Sequence, residues 1–221
     1  MTKKLLEVLK PEIRATIRDL RNTEFSRDPL AGARYSKVTS VFSSAYKRHG
    51  NILERTIFEI LKSKPHLEVW TEDRFFVSET VDQQATLNID DPLAIMRMNK
   101  RYEAGRGRKL QIDILVFNKN TKSIGAYEIK RGHGDHDAGK KRQMIRDALC
   151  TQLLLKSYAE TRDLKPRKVN SHFIFYYGKR SIPAPFGLTG AEIDRHFGFK
   201  VRHKVEAVNA YFRTQLYSLI E

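Results

Sequence analysis

The chain has 221 residues, with 41 Lys and Arg against 26 Asp and Glu, and carries a formal charge of +15 at pH 7. That length suits one domain with a sheet covered by helices, and the positive excess favours polyanionic partners, nucleic acid before anionic membrane. The single cysteine, Cys150, excludes an intramolecular disulfide framework and a cysteine-based zinc site; no apolar run reaches membrane-spanning length and no signal-peptide core opens the chain, so a cytoplasmic, reduced protein is expected.

Taken in chain order, residues 3–21 space Leu, Val and Ile for an amphipathic helix, interrupted near Pro11. Residues 22–35 read as a loop, from Arg27-Asp-Pro29 and Ala31-Gly-Ala33. A short helix over 38–48 precedes a second over 52–61, with Asn51 as its N-cap. Residues 68–78 read as a strand, and the stretch 79–108 has no clear period. Strands over 109–117 and 123–131 flank a polar, turn-prone segment. A Gly/His/Asp loop leads into a helix over 138–160, whose buried side is Met144, Ala148, Leu149, Leu153 and Leu155, with Cys150 as a packed thiol. A strand over 169–177 follows, its aromatics Phe173, Phe175, Tyr176 and Tyr177 reading as core, and one or two helices fill 187–221. The order is that of an α/β domain, a central mixed sheet flanked by helices. A single domain is expected over 1–221, with a core at 50–178 and helical additions at 1–48 and 185–221.

The two central strands carry the chemistry. Asp113, Glu128 and Lys130 sit inside otherwise apolar runs, where an unpaired charge is costly unless it is paired or binds metal. Side chains alternate along a strand, so Asp113, Leu115 and Phe117 share one face, and Ala126, Glu128 and Lys130 share another. A hairpin turning at Asn120-Thr121 pairs residues whose numbers sum to 241, which sets Asp113 opposite Glu128 with Lys130 one step along the same face. A slip of one residue would scatter the three. Two carboxylates and a lysine brought together can hold a divalent cation and activate water beside it, the chemistry of phosphodiester cleavage. The plainer alternative is an Asp113–Lys130 ion pair with Glu128 solvated.

Asp113 on the first strand and Glu128-Ile129-Lys130 on the second resemble the signature of the PD-(D/E)XK nuclease superfamily, the restriction-endonuclease-like fold. The resemblance covers residues 50–178 by element order; Ile112 stands where the proline of the name would be. It implies that Asp113, Glu128 and the Ile129 carbonyl ligate Mg²⁺, with Mn²⁺ as a substitute, and that Lys130 orients or polarises the attacking water. Glu54 matches the acidic residue that many members place on the helix before the sheet, close to the metal. Its alternative is an exposed glutamate paired with Lys47 or with neighbours on the Arg55 side.

Around this set, Arg97, Lys100, Arg101, Arg106, Arg108 and Lys109 form a basic run interrupted by Gly105 and Gly107, which reads as a flexible arm along DNA or as a solvated loop. Arg131 follows the second strand. Lys140, Lys141 and Gln143 open the helix after it, where amides and cations suit phosphate. The loop Gly132-His-Gly-Asp-His-Asp137 lacks a fixed zinc spacing and reads as a segment at the mouth of the site. The leading expectation is a Mg²⁺-dependent DNA endonuclease, restriction-like or associated with a mobile element or phage. Cutting both strands needs two active sites, hence a homodimer. The alternatives are an inactive nucleic-acid-binding protein on the same scaffold and a structure-specific junction nuclease.

Overall fold

The computed structural model describes residues 2–132 and 136–220. Contacts divide the chain into two compact units, Met1–Ile60 with Phe197–Glu221, and Leu61–His196.

The first unit is helical. In α1 (Thr2–Asn22) the residues Leu5, Leu9, Ile13, Ile17 and Leu20 recur every three or four positions and are buried, the stripe a helix needs for packing. It packs on α6 (Arg202–Tyr217), which buries Val205, Val208, Phe212 and Leu216. Two expectations are corrected here. The first helix runs through Pro11: the proline removes one backbone bond, but the buried stripe continues on both sides of it. Asn51 is not an N-cap either, because Gly50 and Asn51 lie inside one 31-residue helix, α2 (Gly32–Lys62). Glycine costs about 1 kcal/mol in a helix interior. The apolar positions Val41 and Ala45 before it, and Ile52, Leu53 and Ile57 after it, are all buried and outweigh that cost.

The second unit is a five-stranded mixed sheet with flanking helices, the restriction-endonuclease-like α/β arrangement expected. Its strands are β1 (Leu67–Val77), β2 (Arg108–Asn118), β3 (Ser123–Lys130), β4 (Lys168–Phe175) and β5 (Gly187–Thr189). They are ordered β1-β2-β3-β4-β5, antiparallel across the first two junctions and parallel across the last two. Between β1 and β2 come α3 (Glu79–Leu87) and a 3-10 turn at Pro92–Ala94, and α5 (Ile193–Phe197) follows β5. The short β5 carries no alternation that three residues could display, and it escaped the sequence reading.

The crossover helix between β3 and β4 is α4 (Ala138–Glu160). Asp137 caps it by accepting the Lys140 amide at 2.8 Å. Met144, Ala148, Leu149, Cys150, Leu153 and Leu155 join Leu115, Phe117, Ile124, Ala126, Phe173 and Phe175 in one core. Burial pushes the Cys150 thiol up to about 12, so it packs as an inert side chain. Tyr176 is buried as well, but Tyr177 is 40% exposed and lies outside the core.

The basic stretch before β2 is pinned rather than a free arm. The Lys100 amide donates to the Leu153 carbonyl at 2.8 Å and the Tyr102 amide to Ser157 Oγ at 3.1 Å. The Tyr102 ring lies 5.2 Å from Phe75 and 5.1 Å from Tyr158. Gly107 has φ +90°, and a Cβ there would strike the Val77 carbonyl oxygen, so this glycine serves a tight entry into β2. Arg108 then bridges two helices, with Nη2 2.7 Å from both Asp82 of α3 and Asp147 of α4.

That bridge is about three-quarters buried. Arg108→Ala takes the ion-pair partner from Asp147 and leaves Asp82 only Arg146 Nε, 3.7 Å away; it is expected to cost about 2 kcal/mol, between the ~0–1 of exposed pairs and the ~3–5 of broken buried ones. Urea unfolding at neutral pH checks it, and a loss under 0.5 kcal/mol would mean that solvent screens the bridge.

Candidate active site

The β2–β3 ladder pairs Asn118 with Ser123, Phe117 with Ile124, Val116 with Gly125, Leu115 with Ala126 and Ile114 with Tyr127. This is the register in which the numbers sum to 241. Past Ile114–Tyr127, a side chain takes over: Asp113 Oδ2 accepts the Ile129 amide at 2.7 Å. The bond anchors the carboxylate to the backbone of the strand that carries Glu128 and Lys130. On that strand Lys130 Nζ donates to Glu128 Oε2 at 3.2 Å. Lys130 also lies 5.8 Å over the Phe173 ring, an apolar support for the ammonium.

Both acids are half-buried beside the α4 core. Burial raises the Asp113 carboxyl above its ordinary range, against the pull of the Ile129 amide and Lys130. Glu128 is pushed up to about 7, by burial first and by the neighbouring Asp113 second, with Lys130 opposing. The two acids titrate as a pair.

Glu128 and Lys130 open into a cavity of about 160 Å³ between the sheet and α4. From α4 it is lined by Lys140, Met144, Asp147 and Thr151, spaced three or four apart, and from β4 by Ser171 and Phe173. Asp147 and Thr151 escaped the sequence reading, which took from this helix its apolar stripe and the Lys140, Lys141 and Gln143 of its opening turns. The spacing Lys140-Met144-Asp147-Thr151 was the available signal.

Of the remaining candidates, Lys140 lines this cavity. Arg97, Arg101, Arg106 and Lys109 are exposed, and Lys100 is half-buried; Arg106 lies 3.5 Å from Glu103. Arg108 is held in the α3–α4 bridge. Arg131 lies 5.4 Å over the Tyr177 ring. Lys140 and Gln143 are exposed and Lys141 is half-buried on the first turns of α4, with Gln143 Nε2 3.3 Å from Asp147 Oδ2. Glu54 is half-buried on α2, in the helical unit. Glu72 of β1 accepts the Tyr158 hydroxyl at 2.7 Å and the Arg74 amide at 2.9 Å. Of the Gly/His/Asp loop, His133, Gly134 and Asp135 lie outside the described residues; His136 Nδ1 is 2.8 Å from Ser181 Oγ.

Two carboxylates facing one ammonium leave a net negative charge on a desolvated wall. A hard divalent cation suits that deficit, with Asp113, Glu128 and the Ile129 carbonyl as oxygen donors. Among the described residues no group of three or more His, Cys, Asp or Glu stands together.

A carboxyl that binds its proton more tightly when folded stabilises the fold at low pH. That contribution fades as pH rises from its ordinary 4.5 towards about 7. Glu128→Gln is therefore expected to match the parent protein near pH 4.5 and to be more stable at pH 8, without added metal. Thermal unfolding at the two pH values measures this; a variant less stable at pH 8 would place a favourable, not a strained, carboxylate at 128.

The model of the family described as type II restriction endonuclease, HinfI, matches residues 36–185. No curated protein and no solved structure matches the chain. No helix among the described residues is long and apolar enough to cross a membrane. The match spans well over half of the chain and takes in the whole β2–β3 hairpin with Asp113, Glu128 and Lys130: the chain belongs to the HinfI family of type II restriction endonucleases.

Proposed function

We propose that the protein is a Mg²⁺-dependent endodeoxyribonuclease that hydrolyses phosphodiester bonds of duplex DNA with water as the nucleophile. The observation that carries this reading is the gathering of Asp113, Glu128 and Lys130 on one hairpin, Asp113 held by the Ile129 amide and Glu128 and Lys130 lining the cavity beneath α4. Asp113, Glu128 and the Ile129 carbonyl would hold Mg²⁺, or Mn²⁺ in its place. Bound there, the ion supplies Lewis acidity and lowers the pKa of its water.

The chain's own groups do the rest. The Ile129 amide fixes the rotamer of Asp113, so this carboxylate is oriented before substrate arrives. Lys130 holds a positive charge beside Glu128, where it can orient the attacking water and offset the charge gathering on the phosphate. Lys140, lining the same cavity, sets a second cation near the scissile group. Arg97, Lys100, Arg101, Arg106, Lys109, Arg131, Lys141 and Gln143 are proposed to hold the DNA backbone, and Glu54 to act as a fourth acid. A restriction-like role with two copies, one for each strand, follows from the same reading.

Incubating the protein with Mg²⁺ and plasmid DNA is expected to give discrete fragments. Asp113→Ala and Lys130→Ala should each lower the cleavage rate by about 10²-fold or more. Full activity in either variant, or cleavage indifferent to EDTA, contradicts the reading.

Metal binding has its own readout. At pH 8, millimolar Mg²⁺ is expected to raise the Tm of the parent protein by mass action, and Asp113→Asn should abolish the shift. An equal shift in both proteins would place the cation elsewhere.

A further inference from the structure

The helical unit contains a second concavity, of about 560 Å³, where the end of α1, the 23–31 loop and the first turns of α2 meet residues 218–219. Its floor is apolar, with Leu20 and Val41 buried and Phe25 half-buried. Around the floor stand Arg21, Arg27 and Lys37, all exposed. Among the described residues none of these three makes an ion pair, although the same unit uses Asp19 for Arg48 and Glu59 for Arg55.

The loop that carries Arg27 is fixed. Asp28 Oδ1 accepts the amides of Leu30 and Ala31 at 2.9 and 2.8 Å, and the Asp28 amide donates to Ser36 Oγ at 2.9 Å. With the Gly32 amide, which donates to the Asp28 carbonyl at 2.9 Å, these bonds tie down the backbone that leads into α2, and the groove offers its charged side chains to an anion. Leu30, at the tip of the turn, is 99% exposed. Three cations without ion-pair partners among the described residues, over an apolar floor and beside a fixed loop, match the alternation of phosphate and sugar along a nucleic-acid strand.

We propose that this groove is a DNA-backbone contact, in which Arg21, Arg27 and Lys37 take adjacent phosphates of the duplex. The proposal rests on the reading of the chain as a DNA endonuclease and adds a contact that the β2–β3 hairpin does not supply. Its consequence is electrostatic and independent of base sequence: each phosphate neutralised releases about 0.9 counterion.

The test is duplex binding by fluorescence anisotropy in EDTA, between 50 and 200 mM salt. The triple variant Arg21→Ala/Arg27→Ala/Lys37→Ala is compared with Lys119→Ala/Lys165→Ala/Arg167→Ala, which removes the same charge from exposed positions elsewhere. The groove variant is expected to bind about 10²-fold more weakly, with a log–log salt slope smaller by about 2.7. The control is expected to change far less. All six side chains are exposed, and circular dichroism checks that both variants fold.

Equal losses in the two triples would reduce the effect to net charge and overturn the groove. So would unchanged binding by the groove variant, absence of duplex binding by the parent protein, or a groove variant altered only in its sedimentation, which would assign the surface to a second copy. Failure of Mg²⁺-dependent cleavage with the groove effect intact would reject the catalytic reading and leave the groove standing.

Discussion

One hydrogen bond organises the centre of this molecule, from the Ile129 amide to Asp113 Oδ2 across the β2–β3 hairpin. A ladder that continued past Ile114–Tyr127 in the ordinary way would keep its polar atoms to itself and leave the Asp113 carboxylate to solvent or to chance. Here the carboxylate stands in for part of the ladder. The acid is thereby oriented by backbone, and Glu128 and Lys130, on either side of Ile129, inherit a fixed relation to it. Everything else about the site, its burial, its paired titration and its opening beneath α4, follows from placing that bond where the sheet meets its covering helix.

The helix defines the environment of the acids. Its apolar stripe closes over the middle of the sheet, whereas its first turns present Lys140 and Asp147 to the cavity. The carboxylates therefore stand at the boundary of a dry core and a polar mouth, which raises their proton affinity without burying them entirely. The Arg108 bridge has the same logic at the neighbouring position. A cation at the start of β2 holds Asp82 and Asp147, ties α3 to α4, and sets the height of α4 above the site.

What the sequence made legible was whatever depends on a short period. Alternation along two strands gave the hairpin, its register and the face of the three charged residues, because a one-residue error would have turned them away from one another. The 138–160 helix was legible for a related reason, its apolar spacing after a Gly/His/Asp loop, and the structure adds Asp137 as the cap at that boundary. Gly50-Asn51 misled because local propensity favours a break there, whereas the buried stripe on both sides decides otherwise. Arg108 and Asp147 were hidden for a different reason. An ion bridge between an element's first residue and two helices has no period, and charge alone made Arg108 look like a hand held out to DNA.

The hairpin also bears on how the molecule comes together. Asp113, Glu128 and Lys130 lie within one local turn of chain, and hairpins of this kind close in microseconds, well before a crossover helix docks. The two acids thus meet while still hydrated, when their proximity costs little. Dehydration comes only when α4 settles on the sheet and Ala126, Leu115 and Phe173 lose contact with water. The electrostatic penalty of the site is carried by that late docking step, so the rate of helix closure, rather than of strand pairing, is where acidity and divalent cations would leave their mark on folding.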